Sequence, residues 1–325
     1  MKYPLGNNYK PQTTSRRIND WTQPAAFPSP VPTLVEYFSG FMRAARQTLS
    51  FSSVRNFYRE LDATDKVLSR LSWALLLAIL VFAAFAFFAS GTMATMNSLA
   101  VSPWIKPIKF SISFSTYATT ISLFLLALHI PEWQLRLVRR MIAATVAMEI
   151  LSLGAQAWRI AYPPAMPTFI DSVLAQITNN MVMANTAIVV WMFALFCLGR
   201  VRTDMVDWPM VAGIRNSLII FLAGNAIGGY MLARGSHTVG ASDGGPGLPF
   251  LNWSTIGGDL RIAHFIALHA IQIVPLFAYI LAQMEPVLPV KQRKKLAATL
   301  AILVALGVSA TFIQAALGHP LLTLH

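Results

Sequence analysis

Apolar positions gather into seven runs between residues 70 and 319, separated by short polar or proline-bearing joints. A helix of about 20 apolar residues, rising about 1.5 Å per residue, spans the roughly 30 Å hydrocarbon layer of a bilayer. The pattern predicts an all-α polytopic membrane protein whose seven-helix transmembrane bundle occupies 70–325. The crossings fall at 71–91, 106–128, 138–161, 173–198, 212–234, 259–283 and 295–318. Pro107, Pro163, Pro164, Pro167, Pro209 and Pro286 mark their borders.

Residues 1–69 form an arm of different texture. Over 1–33, Pro, Asn, Thr and Ser recur without a period, as in irregular chain. Over 34–61, Leu34, Phe38, Phe41, Ala45 and Leu49 return at helical spacing beside Arg43 and Arg46. This predicts an amphipathic helix lying either on the lipid surface or on the protein's own loops.

Composition strengthens the membrane reading: 55% of residues are hydrophobic and 12% charged, too few polar groups to cover a water-soluble globule of 325 residues. A net charge of +12 raises nucleic acid as a partner, but the cations are spread over loops and the arm, so a bilayer is the expected partner. Of 25 Lys and Arg residues, 20 lie on one side of the predicted crossings. The positive-inside rule makes that side cytoplasmic, with the N-terminus inside and the C-terminus outside. The arm lacks the basic start, apolar core and small-residue cleavage site of a secretory signal, so it is expected to be retained. Cys197 is the sole cysteine, which excludes disulfide frameworks and thiolate metal clusters. P-loops, dinucleotide fingerprints, nucleophile motifs and inverted repeats are absent.

Polar side chains at membrane depth are costly and mark where function is to be sought. In the second crossing Lys106, Lys109, Ser113, Thr116 and Thr120 advance by three or four residues along one face, and Glu149, Ser152, Gln156 and Arg159 do so in the third. The sixth carries Asp259, Arg261, His264, His269 and Gln272, while the fifth and seventh add Asn225 and Gln314. Counting from the crossing ends puts Glu149 and His269 each about 15 Å deep. The expectation is an outward-facing polar pocket with these two at its floor, as catalytic or proton-relay groups. His264 and His269 are candidate metal or haem ligands, although a five-residue spacing separates them by about 140° around the helix. Both also suit plain hydrogen bonding to neighbouring helices. Lys106, Lys109, Arg159 and Arg261 form a candidate cationic rim, or simply extend to lipid headgroups. Gly224, Gly228 and Gly229 offer a small-residue packing surface.

The connection at 235–258 is long and glycine-rich, the texture of a lid or ligand-binding segment. His237, Asp243, Asn252, Trp253 and Ser254 are its candidate contacts. Asp243-Gly244-Gly245 has part of a calcium-loop pattern and equally suits a tight turn.

Three stretches, Pro103 to Phe110, Ser236 to Gly240 with Asp243 to Pro249, and Asn252 through His269, resemble an uncharacterised family of bacterial multi-spanning proteins over about 70–319. The resemblance implies a bacterial inner-membrane location and brings no known activity, substrate or cofactor. Three classes follow: a membrane-embedded enzyme using a metal or haem, a transporter or receptor for a small anionic ligand, and a noncatalytic subunit whose arm docks a membrane-complex partner.

Overall fold

The computed structural model describes residues 34–93, 102–162, 168–284 and 288–323. The 1–33 segment and the borders at Pro163, Pro164, Pro167 and Pro286 lie outside the described residues. Nine helices carry the described chain: α1 (Leu34–Thr48), α2 (Phe51–Thr64), α3 (Lys66–Met93), α4 (Ile105–Ala127), α5 (Glu132–Ala161), α6 (Phe169–Cys197), α7 (Trp208–Arg234), α8 (Leu260–Ala282) and α9 (Val290–Ala316). Helices α3 to α9 are the seven long and apolar enough to cross a membrane, so the protein is an all-α, seven-span membrane bundle.

Several spans begin earlier than hydropathy marks them, because local signals start a helix before the apolar run does. Asp65 accepts the Leu68 N–H at 3.1 Å and opens α3 through its polar Lys66–Arg70 turn. Pro131 precedes α5 at Glu132, and Asp207 caps α7 by accepting from the Met210 N–H at 3.0 Å, with Pro209 in the first turn. Gly235 ends α7 in the left-handed region, at φ 66°.

Helices α4, α5, α7 and α8 form the centre, whereas α3, α6 and α9 turn most of their surface outward. The tightest seam joins α7 to α8. A Cβ at Gly224 would meet the Ala267 Cβ at 2.8 Å, and one at Gly228 would meet the His264 ring at 2.8 Å, whereas Gly229 faces open space. Two of the three predicted packing glycines therefore form the seam. Pro275 sits inside α8 without ending it.

The arm helix expected over 34–61 is two helices. Ser50 breaks the run and caps α2 by accepting from the Ser53 N–H at 3.3 Å. Helix α1 packs on the α8 end through Phe41, Ala44 and Gly40, with Phe41 and Phe277 rings 5.5 Å apart. Phe38, Met42 and Leu49 stay exposed beside Arg43 and Arg46. This extremity is the arm end, and the opposite one, carrying residues 235–259, is the loop end.

Candidate functional site

At the loop end, Lys106, Lys109, Ser113 and Tyr117 share one face of α4, each three or four residues from the next. Arg261, Phe265, His269 and Gln272 share one face of α8 by the same spacing. The two helices are neighbours, and Tyr117 stacks on Phe221 of α7 with ring centroids 6.1 Å apart. From α5, Glu149 enters this polar zone with only 2% of its surface exposed. Its charge interacts with Lys106 and Tyr117, yet it makes no hydrogen bond or ion pair among the described residues. The Tyr117 hydroxyl is also buried without a partner among the described residues. Unpaired buried polar groups are expensive, so their clustering here needs a purpose that packing does not supply.

Residues 247–254 lie across this polar zone as a strap. The Lys109 ammonium donates to the Leu251 carbonyl at 3.2 Å, and the Arg261 guanidinium donates to the Asn252 carbonyl. Trp253 packs edge-on against Phe265, centroids 5.7 Å apart. Phe250 and Asn252 adopt φ 63° and 56°, a left-handed conformation that Asn accepts and a bulky side chain such as Phe resists. The strap thus spends backbone strain to aim two consecutive carbonyls at two cations. Arg261 is also clamped to Asp259, whose side chain is fully buried, at 2.6 Å, and the Ser254 N–H donates to the same carboxylate at 2.8 Å.

A two-residue pairing, β1 (Thr238–Val239) with β2 (Gly258–Asp259), anchors the strap's base. Asp243 accepts from the Thr238 N–H at 2.9 Å, the Ser236 hydroxyl at 3.1 Å and the His237 N–H at 3.2 Å, which folds 236–243 into a closed turn. Burial works to raise the Asp243 carboxyl, but the hydrogen bonds from Thr238 and His237 outweigh it and hold the group below its ordinary value. Burial, followed by the nearby Arg261 cation, lowers His237 despite Asp243 alongside. His237 also feels the charges of Asp259 and Lys106, and Lys109 those of Arg261, Asp259 and Lys106. These six groups share one electrostatic neighbourhood.

Other predicted site residues go elsewhere. Arg159 pairs with Asp171 and with the Thr168 hydroxyl at 2.6 Å, so it ties α5 to the start of α6 and leaves the expected rim. Gln156 donates to the Thr178 hydroxyl at 2.9 Å on α6. The Gln314 amide donates to the His319 carbonyl at 2.9 Å, closing the end of its own helix. His264 faces α7, where its Nδ1 and the Gly224 carbonyl are 2.7 Å apart. His269 lies on the Arg261 face of α8, against Phe265 and with Gln272 as its side-chain partner, and among the described residues it makes no hydrogen bond or ion pair to Glu149. No cluster of three or more His, Cys, Asp or Glu able to hold a metal ion occurs among the described residues.

Tyr117 is the site residue that sequence reasoning passed over, although its position four residues beyond Ser113 placed it on the lysine face. The expectation is an open pocket, and the strap covers it instead, its carbonyls accepting from Lys109 and, beside the Asp259 carboxylate, from Arg261.

Comparisons with protein-family models, curated proteins and solved structures return no match to this chain. The functional reading therefore rests on the site.

Proposed function

We propose that the protein is a transporter or receptor of the bacterial inner membrane that takes a small anionic ligand at its loop end, which the distribution of Lys and Arg assigns to the periplasm. One observation carries the reading: Lys106, Lys109 and Arg261 converge above the buried Glu149, and the strap's carbonyl oxygens occupy two of these cations as an anion's oxygens would. A carboxylate or phosphate forms stronger, charge-assisted hydrogen bonds than neutral carbonyls do, so it displaces Leu251 and Asn252 and releases the strap. The strained φ at Phe250 favours that release.

Glu149, beneath Lys106, is the proton-coupled element of this reading. An arriving anion competes with Glu149 for Lys106, and a proton taken up on Glu149 removes the competition. Tyr117, His269 and Gln272 offer the neutral polar contacts that fix orientation.

The test is binding of a panel of small carboxylates and phosphates to purified protein across pH. His237 is neutral near pH 7 because its folded value lies below the ordinary 6.5. Acidification below 6.5 therefore adds a cation to the site, and anion affinity is expected to rise there by several-fold. His237→Gln is expected to abolish the rise while keeping binding at pH 7.5. A panel in which no anion binds at any pH would remove the reading.

A further inference from the structure

The arm end carries a second basic site that the loop-end reading does not use. A cavity of about 130 Å³ is lined by Thr64, Asp65, Lys66, Arg136, Arg139 and Arg140, where the start of α3 meets the first turns of α5. Its acidic member is already committed. Asp65 accepts from the Leu68 N–H at 3.1 Å, the Ser122 hydroxyl at 2.8 Å and the Arg139 Nε at 2.9 Å. Arg139 is further occupied by Glu132 at 3.5 Å. Lys66, Arg136 and Arg140 are exposed and make no ion pair among the described residues, so three uncompensated cations converge on one cavity.

An apolar track leads away from it. Trp133, Leu137 and Met141 follow one another by four residues on the adjoining face of α5 and are 58%, 49% and 42% exposed. Val67 of α3 is exposed at the cavity itself. Cations at the end of a span, beside an apolar track running along that span, match the two halves of a phospholipid: a headgroup phosphate and an acyl chain. A soluble anion would use the cations and leave the track uncovered.

We infer that this cavity is a binding site for an anionic phospholipid, whose phosphate is held by Lys66, Arg136 and Arg140 and whose acyl chain lies along Trp133, Leu137 and Met141. Basic pockets between spans are suited to this role, since each cation near an anionic headgroup is worth about fivefold in affinity.

The experiment uses the full chain in detergent, with thermal unfolding and native mass spectrometry after adding dioleoylphosphatidylglycerol, dioleoylphosphatidylcholine or inorganic phosphate. Phosphatidylglycerol is expected to raise the unfolding midpoint and remain bound, and the other two to do neither. Lys66→Gln/Arg136→Gln/Arg140→Gln weakens that binding on the order of a hundredfold, three cations at about fivefold each. Lys291→Gln/Lys294→Gln/Lys295→Gln, with the same change in charge at the same end, leaves it intact. Equal retention by the two triple variants overturns the site, and a shift produced equally by inorganic phosphate overturns the lipid assignment. Should the first triple variant not fold, Arg136→Gln alone must show its own roughly fivefold loss.

Discussion

Asp65→Ala is expected to destabilise the bundle by about 3–5 kcal/mol, the cost of leaving a buried charge without its partner. Asp65 is 1% exposed and its two oxygens serve three donors: the α3 backbone, Ser122 on α4 and Arg139 on α5. Arg139 is itself 9% exposed, and the substitution strands its guanidinium between helices, with only the more distant Glu132 left. The N-cap of α3 is lost at the same time, worth about 1 kcal/mol. The penalty lies in the stranded charge more than in the attraction removed, so Asp65→Leu/Arg139→Met is expected to recover most of it. Unfolding in detergent of both single variants and the double checks this. A double variant as weak as Asp65→Ala would show that the polar link itself holds the arm-end core together.

Gly258→Ala is the second large effect, and it connects packing to the site. A Cβ there would overlap the Ala315 carbonyl of α9, a backbone atom that cannot swing aside. Gly257 is nearly as crowded, with the Val239 carbonyl at 2.8 Å. The strand base must lift from α9, carrying Asp259 and hence the clamp on Arg261 and Ser254. Overpacking of this kind costs about 1–3 kcal/mol. The expected signature is local as well as global: faster hydrogen exchange over 247–254 and weaker anion binding, with exchange in α5 and α6 unchanged. Unaltered exchange in the strap would separate its closure from the β1–β2 base.

These two positions also mark what the sequence conceals. The seven spans, their order and the depth of Glu149 follow from hydropathy and helical rise, which are properties of single helices. The lysine face of α4 was legible for the same reason, since spacing alone puts Lys106, Lys109 and Ser113 together. Partner choice is a property of pairs. Arg159 had the composition and depth of a rim cation, but Asp171, twelve residues on across an interhelical connection, claims it. His264 had the depth of a pocket histidine, and the rotation of α8 gives it to Gly224 instead. Asp65 lies where the polar arm ends, and nothing in its neighbours announces that three helices converge on it. The strap was legible as a glycine-rich loop, whereas its two carbonyl contacts depend on a left-handed backbone at Phe250 that this residue type does not favour.

The central claim is that Lys106 and Lys109 present a ligand site to the loop end. It is tested most directly by anion affinity in Lys106→Gln/Lys109→Gln, measured beside the arm-end pair Lys291→Gln/Lys294→Gln. Each lost charge-assisted hydrogen bond is worth about 1.5–3 kcal/mol, so the α4 variant should bind at least about a hundredfold more weakly. The arm-end variant should match the unmodified protein. Equal affinity in the α4 variant and the unmodified protein would contradict the account.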